Sequence, residues 1–340
     1  MQRLADAHGV ALRPHIKTHK TLELTALQLQ HGACGITASK PSEALAFFHS
    51  KLSGLSSILL AYPVVQVEKL TALLVAAKQS GIEFRLTVDS LEGLEAVEKA
   101  SAECEYTPKV LLHIDVGYHR VGIEEHDPRL LAFAKRIHES THLAFEGILS
   151  HAGHAYACTS LEECATVAEQ ERSIMVRIRD AIQSSGVPVP TVSCGSTLTE
   201  LARKSFDGIT EIRPGNYVFM DRTPVRMGLT TVQNVSLGVL TTVVSANSHY
   251  FIIDAGSKVL SADAPRSGSP DKFGAQCFGL ALSEEHGWIQ QVDGIPAPAI
   301  GSRMVVLPNH SCVVANLTNQ LYIQGAAPTT WKTVSRGCTQ

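Results

Sequence analysis

The sequence predicts an α/β protein, with a (β/α)8 TIM barrel over residues 1–220 and a smaller β domain over residues 221–340. Three observations support this fold class. Short β-rich runs alternate with amphipathic helical stretches along the first two thirds of the chain, the runs number eight, and the alternation stops after Tyr217. Alternating strands and helices are typical of parallel βα units, and eight such units close a barrel.

The elements of the predicted barrel follow one another in regular order. The predicted strands span residues 10–17, 35–39, 58–63, 84–89, 110–116, 145–151, 191–196 and 211–214. The predicted helices span residues 21–30, 41–50, 66–80, 91–100, 128–139, 161–184 and 197–204. Beyond the barrel, predicted β segments lie at residues 240–246, 250–254, 303–307 and 320–324. Residues 261–274 are rich in Ser, Pro, Asp and Gly, which predicts an exposed loop and a candidate to reach the active site.

The composition is that of an ordinary globular protein, with 44% hydrophobic residues, 18% charged residues and a net charge of −3. The chain has no basic block and no apolar run approaching the ~20 residues that span a bilayer, so the sequence does not support binding to nucleic acid or to a membrane. The start lacks signal-peptide features, and the eight cysteines form no C-x-x-C pair. We therefore expect reduced thiols and a cytoplasmic protein.

Polar residues cluster where the predicted barrel strands end, which is where barrel enzymes place their catalytic groups. Five strand ends carry the sequences RPHIKTHK at 13–20, DVGYHR at 115–120, SHAGH at 150–154, CGST at 194–197 and RPGNY at 213–217. Simple packing does not require so many polar residues. These strand ends are therefore the candidate active site.

Lys17 is a candidate Schiff-base lysine at the end of the first predicted strand. His15, His19 and Lys20 flank it, and neighbouring positive charge favours a neutral amine, which can form a Schiff base. Because lysines are usually solvated loop charges, the local sequence leaves this simpler interpretation of Lys17 and Lys20 open.

Two loops are candidates for binding a phosphate group. Gly195, Ser196 and Thr197 open the seventh predicted helix, where backbone N–H groups and hydroxyls can hold an anion. Gly215 and Asn216 follow the eighth strand, and phosphate sites after strands seven and eight recur in such barrels. The alternative is that Ser196 or Thr197 serves only as a helix N-cap.

His310 and Cys312 are a candidate metal-ligand pair in the β domain. They lie two residues apart, hence on the same face if the segment is extended, where imidazole and thiolate can reach one soft divalent ion such as zinc. Two protein ligands leave positions open for water and substrate, which suits catalysis. A purely structural role is the alternative, both for this pair and for His151 and His154.

Taken together, five motifs resemble the D-serine dehydratase / D-threonine aldolase family, and the likeness covers nearly the whole chain. The motifs are R-P-H-x-K-T-H-K at 13–20, D-V-G followed by R-x-G at 115–122, R-P-G-N-Y at 213–217, D-A-G-S-K at 254–258 and P-N-H-S-C at 308–312. The resemblance implies an alanine-racemase-like, fold-type III pyridoxal 5′-phosphate (PLP) enzyme. Such enzymes have an N-terminal barrel and a C-terminal β domain and usually form a homodimer.

The resemblance also implies roles for individual residues. Lys17, rather than Lys20, becomes the Schiff-base lysine, and Arg120 becomes the partner of the cofactor's phenolic oxygen. The other implied cofactor contacts are His15, His151, Gly195, Ser196, Thr197, Arg213, Gly215, Asn216 and Tyr217, and the implied zinc ligands are His310 and Cys312.

The family implies an enzyme that acts on a small D-amino acid with a β-hydroxyl group. Dehydratase-like members have His-x-Cys at the metal pair, whereas the aldolases tend toward His-x-Asp, so Cys312 favours D-serine dehydratase, which forms pyruvate and ammonia. In the expected mechanism Lys17 removes the α-proton and zinc acts as a Lewis acid on the β-hydroxyl. The alternatives are a D-threonine or 3-hydroxyaspartate aldolase and, ranked lower, a racemase or a non-enzymatic PLP-binding protein.

Members of this family normally have a further segment before the helix that leads into the lysine strand. In this chain Met1 falls inside that helix. We therefore expect a shortened start, as in a fragment, a misplaced start codon or a less stable variant.

Overall fold

The structure is a computed structural model that describes residues 1–262, 281–291, 296–325 and 327–340. Its larger part is a curled sheet of eight parallel strands, and a separate antiparallel sheet follows, which confirms the predicted fold class. The first nine strands are β1 (Ala11–Leu12), β2 (Ile36–Ala38), β3 (Ser57–Leu60), β4 (Glu83–Val88), β5 (Lys109–Asp115), β6 (Ile123–Glu124), β7 (Ala144–Ser150), β8 (Thr191–Cys194) and β9 (Glu211–Ile212).

Helices lie between the strands, as the alternating pattern predicts. They are α1 (Gln2–Ala7), α2 (Leu22–Gln30), α3 (Pro41–Phe48), α4 (Val67–Ser80), α5 (Leu91–Cys104), α6 (Leu130–Glu139), α7 (Leu161–Ser184) and α8 (Thr197–Ala202). Their apolar faces pack on the outside of the sheet in the main hydrophobic core. A smaller apolar cluster of Leu59, Leu111 and Leu149 is formed by β3, β5 and β7.

The parallel sheet closes on itself. The strand order is β1-β9-β8-β7-β5-β4-β3-β2, and the short β6 pairs only with β5. Between the two ends of this order, His15 forms a parallel bridge with Thr37, and the Thr37 N–H donates to the Pro14 carbonyl at 2.8 Å. All eight strands therefore point their carboxyl ends toward one rim, as the sequence predicts.

β1 and β9 are much shorter than the sequence predicts. Pro14 and Pro214 follow them, and proline has no N–H group to continue a ladder. After Pro14 the chain turns into a 3-10 helix at Ile16–Thr18, so Lys17 lies on a turn rather than on a strand. This turn brings Lys17 over the rim of the barrel.

A buried ion pair joins the two short strands. Arg13 Nε lies 2.7 Å from Glu211 Oε2, and both side chains are almost completely buried. Ser193 Oγ donates to the other oxygen of Glu211 at 2.6 Å, and Ser57 Oγ accepts from Arg13 Nη1 at 2.9 Å. Because the charged groups are hydrogen-bonded as well as paired, the cost of burying them is offset.

The second part of the chain forms mainly antiparallel strands. They are β10 (Val239–Ala246), β11 (Tyr250–Ile253), β12 (Ala281–Leu282), β13 (Gly287–Gln290), β14 (Arg303–Val306), β15 (Gln320–Ile323) and β16 (Thr329–Lys332). Five of them form a sheet in the order β12-β13-β11-β10-β14, and β15 pairs with β16. Three short helices accompany them: α9 (Arg222–Arg226), α10 (Ser257–Leu260) and α11 (Ser311–Leu317).

The four β segments predicted beyond the barrel are confirmed as β10, β11, β14 and β15. The predicted loop at 261–274 lies outside the described residues from position 263 onward, and the predicted domain boundary at residues 220 and 221 stays a prediction. Within the part of the chain that the structure describes, no helix combines the length and the apolar character needed to cross a membrane.

Candidate active site

A cavity of about 500 Å³ opens at the carboxyl ends of the barrel strands. It brings together residues from seven strand ends of the barrel and from the segment that carries His310 and Cys312. All the predicted site residues except Tyr217 line it, namely His15, Lys17, Arg120, His151, Gly195, Ser196, Thr197, Arg213, Gly215, Asn216, His310 and Cys312. The structure therefore places the lysine turn, the two candidate phosphate loops and the metal pair around one space.

The charge state of the residues around Lys17 differs from the sequence-based argument. Burial, together with Lys17 and Arg213, holds the pKa of His15 well below its usual range, and burial lowers the pKa of His19 to about 4. Both imidazoles are therefore neutral near pH 7, and the expectation that they add positive charge beside Lys17 is wrong. The positive side chains that line the cavity with Lys17 come from distant parts of the sequence, namely Lys40, Arg120 and Arg213.

Lys20 has a structural position, which separates it from Lys17. Its Nζ lies 2.9 Å from Glu43 Oε1 and donates to the Ser335 carbonyl at 3.1 Å. Lys20 and Glu43 are both buried, and Lys20 does not line the cavity. Of the two lysines in the first motif, only Lys17 lines the cavity.

The candidate phosphate loop before α8 also caps that helix. Ser196 Oγ accepts a hydrogen bond from the Thr199 N–H at 3.3 Å, and Thr199 Oγ1 accepts one from the Ser196 N–H at 2.9 Å, which is a capping box. Ser196 is therefore the N-cap of α8, as the simpler interpretation predicts, and it also lines the cavity. Gly195 has a φ of +113°, and a Cβ there would lie 2.5 Å from Glu200 Oε1, so only glycine fits.

The second candidate phosphate loop packs directly on the lysine turn. A Cβ on Gly215 would lie 2.9 Å from both the His15 carbonyl and Thr18 Oγ1, so the absence of a side chain permits this approach. Tyr217 contributes differently from expectation, since its side chain does not line the cavity. Its N–H donates to Thr197 Oγ1 at 2.9 Å, which ties the two loops together, and its hydroxyl accepts from Gln28 Nε2 at 3.0 Å.

Aromatic rings form one wall of the cavity. The Arg120 guanidinium lies 5.0 Å from the centre of the Tyr118 ring, and the edge of that ring packs against His151 with centres 5.9 Å apart. Burial and the nearby Lys17 hold the pKa of His151 well below its usual range, so it is neutral. His154, the second histidine of this motif, does not line the cavity.

His310 and Cys312 both line the cavity, but their segment is not extended as the sequence argument assumed. His310 is the N-cap residue of α11, and Cys312 lies in the first turn of that helix. Cys312 Sγ lies 3.1 Å from Thr18 Oγ1, next to Lys17. Burial alone would raise the pKa of Cys312, but His310, Lys17 and Thr18 together lower it below its ordinary value, which favours the thiolate that a soft metal prefers.

Asp221 anchors the segment that carries this pair, and sequence analysis did not find it. Its Oδ2 accepts hydrogen bonds from the Ser311 N–H at 3.0 Å and from Asn216 Nδ2 at 2.5 Å, and its Oδ1 accepts from the Thr223 N–H at 3.0 Å. Asn216 Nδ2 also donates to Ser311 Oγ at 2.9 Å. A buried carboxylate thus joins the loop after β9 to the residue between His310 and Cys312.

A second possible metal-binding group lies outside the cavity. Asp115, His119 and Glu124 bring one ligand atom each within 4.8 Å of one another, and His119 and Glu124 are largely exposed. Asp115 already accepts hydrogen bonds from the N–H groups of Gly117, Tyr118 and His119 at 2.9–3.0 Å. Its carboxylate therefore serves mainly to shape the loop that carries Tyr118 and Arg120.

Two family models cover most of the chain. Residues 1–223 match the alanine racemase N-terminal domain, and residues 236–324 match the putative serine dehydratase domain. The chain belongs to the alanine-racemase-like family of D-serine dehydratases and D-threonine aldolases. Both the barrel with its lysine turn and the β part with its His-x-Cys pair fall within the regions that match.

Relatives with different activities belong to this family. The chain is 34% identical over 333 residues to the D-threo-3-hydroxyaspartate dehydratase of Delftia sp., covering 92% of this chain and 86% of that protein. It is 32% identical to the D-threonine aldolase of Arthrobacter sp. (99% and 88% covered) and 29% identical to the D-serine dehydratase of Dictyostelium discoideum (95% and 88% covered). The solved structure of the Delftia dehydratase matches with a TM-score of 0.89 at 32% identity, covering 98% of this chain and 92% of that chain.

Several cavity residues were missed by sequence analysis of this family member. They are Ser39, Lys40, Ala61, Tyr62, Pro63, His113, Val121, Leu149 and Tyr156. A signal was present for five of them, because residues 39–40 and 61–63 follow β2 and β3, whose ends lie on the same rim as the strand ends that were considered. His113 gave no signal, since it lies within β5 and only the closed barrel places it at the cavity.

Proposed function

We propose that this protein is a PLP- and zinc-dependent D-serine dehydratase, which converts D-serine to pyruvate and ammonia. The observation that supports this proposal most directly is the meeting of two distant segments in one cavity. Thr18 Oγ1, next to Lys17, lies 3.1 Å from Cys312 Sγ, although the two residues are 294 positions apart. A lysine amine and a His-Cys pair that share one cavity suit elimination from a β-hydroxy amino acid.

The residues present fit PLP. The lining contains Lys17, Lys40, Arg120 and Arg213 but no described carboxylate, which suits an anionic ligand with a phosphate group. Lys17 would hold the cofactor covalently, the loops at Ser196 and Gly215 would hold its phosphate, and Arg120 would face its phenolic oxygen. When bound, PLP supplies an electron sink for the negative charge that develops at the substrate Cα.

Lys17 is the proposed base. Its Nζ takes the proton from the substrate Cα, in the cavity that Lys17 shares with Arg120 and Arg213. The pKa values of His15 and His151 are held well below their usual range, so both imidazoles are weak bases that compete poorly for this proton.

The metal pair also fits its proposed ligand. His310 offers an imidazole and Cys312 a thiol with a lowered pKa, which is a donor set that zinc accepts. When bound, zinc supplies a Lewis acid that makes the β-hydroxyl a better leaving group. The enamine left by elimination then takes up water to give pyruvate and ammonia. We include cytoplasmic location and a homodimeric state in the proposal, to be checked by fractionation and light scattering.

The test is a product assay on the purified protein with PLP, with and without zinc. We expect a visible cofactor absorbance band and zinc-dependent pyruvate and ammonia from D-serine. Glycine with an aldehyde, from D-threonine or a 3-hydroxyaspartate, would move the assignment to the aldolases, in which the metal orients the β-hydroxyl for deprotonation. Full activity after removal of metal with a chelator would overturn the zinc role.

A further inference from the structure

The cavity has more positively charged side chains than the proposed reaction requires. Four cationic side chains line it, namely Lys17, Lys40, Arg120 and Arg213, and no carboxylate among the described residues does. Three of these cations either have a proposed role in binding the cofactor or form hydrogen bonds within the barrel. Lys17 and Arg120 are assigned to the cofactor, and Arg213 is buried with its guanidinium on Ser193 Oγ at 2.5 Å and on the Ser150 carbonyl. Lys40 is the cation left without an assigned task.

Lys40 is held at the cavity by its neighbours. It lies between β2 and α3, and the Pro41 that follows keeps its backbone extended. The preceding residue, Ser39, donates through its N–H and its hydroxyl to Glu43 Oε2 at 2.7 and 2.8 Å. The position of the Lys40 backbone is thereby tied to a completely buried side chain.

The acidic residue nearest in sequence is not available to neutralise Lys40. Glu43 is fully buried, and its other oxygen lies 2.9 Å from Lys20 Nζ. Within the part of the chain that the structure describes, Lys40 forms no ion pair. Its ammonium group therefore keeps its capacity for a charged partner.

The Tyr62 ring orients the ammonium group without neutralising it. Lys40 Nζ lies 4.0 Å above the centre of this ring, and Tyr62, which also lines the cavity, is 40% exposed. A contact with an aromatic face leaves N–H groups of the ammonium free to donate to an anion. A cation without an ion-pair partner that is oriented at the cavity lining is suited to binding an incoming anion.

We propose that Lys40, supported by Tyr62, binds a carboxylate group of the substrate. This inference rests on the proposed function, because it concerns the substrate of the same site. Two carboxylates qualify: the α-carboxylate that every amino acid has, and the second carboxylate of a β-hydroxy dicarboxylic amino acid. In the second case Lys40 sets the preference for dicarboxylic over monocarboxylic substrates.

The experiment compares Lys40→Met and Lys40→Arg with the parent holoenzyme. Lys69→Met is the matched control, since Lys69 is an exposed lysine on α4 that does not line the cavity. The probes are D-alanine, which has one carboxylate, and D-aspartate, which has two, both without the β-hydroxyl. Their inhibition constants against D-serine turnover and the KM for D-serine are measured, with the cofactor absorbance band and the melting temperature as checks on folding.

We expect Lys40→Met to weaken binding about 10-fold or more with little change in kcat, as for loss of a charge-assisted contact made equally in the ground and transition states. Lys40→Arg should restore most of the binding, and Lys69→Met should change nothing. A loss confined to D-aspartate identifies the second carboxylate, whereas an equal loss for both probes, with a higher KM for D-serine, identifies the α-carboxylate.

Unchanged inhibition constants for both probes in a Lys40→Met variant that keeps its cofactor band would overturn the inference while leaving the proposed function intact. The opposite failure is also recognisable. If the parent protein converts none of the β-hydroxy D-amino acids, the proposed function is wrong, and calorimetric binding of D-aspartate to the parent and to Lys40→Met then decides the role of Lys40 alone.

Discussion

Two lysines three positions apart have different tasks because of what surrounds each. Lys17 lies on a 3-10 turn and lines the cavity, whereas Lys20 is buried against Glu43. Their sequence neighbourhood is almost the same, so the difference arises from the tertiary fold. A residue-scale experiment can therefore use one lysine as the control for the other.

We expect Lys17→Ala to abolish turnover and the covalent cofactor band while leaving the melting temperature of the cofactor-free protein nearly unchanged. Lys20→Met should keep turnover and the cofactor band but lower the free energy of unfolding by about 3–5 kcal/mol, because it leaves the buried Glu43 carboxylate unpaired. Absorbance spectra and urea unfolding of both variants test this pair of outcomes. Turnover by Lys17→Ala at the parent rate would remove Lys17 from the mechanism.

At the scale of elements, the site depends on contacts that hold α11 over the barrel. Three hydrogen bonds join residues 221–223 to residues 308–311: the Arg222 N–H donates to the Pro308 carbonyl at 3.2 Å, Thr223 Oγ1 donates to the Asn309 carbonyl at 3.0 Å, and Asp221 Oδ2 accepts from the Ser311 N–H at 3.0 Å. The 221–223 segment is thus held against the 308–311 segment by both backbone and side-chain contacts. The ligand pair is positioned by this contact rather than by the β sheet alone.

Asp221→Asn should weaken zinc binding by about 10–100-fold, the usual cost of removing a residue that orients metal ligands. Cofactor affinity should change much less, because the lysine turn and phosphate loops keep their own contacts. Competition with a chromophoric chelator measures the zinc affinity, and Asp207→Asn, on the exposed surface, is the control. Equal zinc affinity in the two variants would show that Asp221 does not position the ligands.

The turn before α8 is a second element on which the site depends. Behind Gly195 lie the buried groups Glu171, Glu200 and Arg203, with Arg203 Nη2 2.7 Å from Glu171 and 3.0 Å from Glu200. The Gly195 N–H donates to Glu171 Oε1 at 3.2 Å. The shape of this loop is therefore set by a charged cluster with no exposure to solvent.

Backbone strain alone should cost about 1–3 kcal/mol in Gly195→Ala. We expect a larger loss of stability, because the Cβ of the alanine would also displace Glu200. Gly54→Ala separates the two effects, since Gly54 has a φ of +83° but no atom within 4 Å of an added Cβ. Unfolding free energies of both variants, with cofactor affinities, provide the measurement. A loss in Gly195→Ala no larger than in Gly54→Ala would argue against the crowding.

At the scale of the whole molecule, histidines with a lowered pKa make stability depend on pH. Burial lowers the pKa of His19 to about 4 and that of His113 to about 3, and His15 and His151 are lowered as well. The unfolded chain takes up these protons near pH 6.5, whereas the folded protein does so only at lower pH. Stability is therefore full above pH 6.5 and falls as the pH is lowered toward 4.

The expected slope is up to about 1.4 kcal/mol per pH unit for each such histidine below pH 6. Urea unfolding of the cofactor-free protein at pH 7, 6 and 5 measures this slope. His19→Asn should reduce this slope by up to about 1.4 kcal/mol per pH unit, because it removes one histidine whose pKa is lowered in the folded protein. A stability that stays constant from pH 7 to pH 5 would show that these histidines are protonated in the folded state.

Much of this architecture could be predicted from the sequence, because it depends on local patterns. The period of apolar residues predicted all eight barrel strands, and the polar strand ends predicted most of the cavity lining. Contacts between residues that are far apart in the sequence could not be predicted from such patterns. Asp221 acquires its role from Ser311, 90 positions away, and the neutral state of His15 depends on burial by the closed barrel. The first turn of α11 was also missed, because the spacing of His310 and Cys312 fits a short helix and an extended segment alike.

The contact between Thr18 and Cys312 also orders the events of synthesis. The two residues are 294 positions apart, and at about 5–20 residues per second a ribosome needs roughly 15–60 s to pass from one to the other. A ribosome thus synthesises the lysine turn and both candidate phosphate loops well before the candidate metal ligands His310 and Cys312 exist. The cavity can become complete only when the last tenth of the chain has emerged.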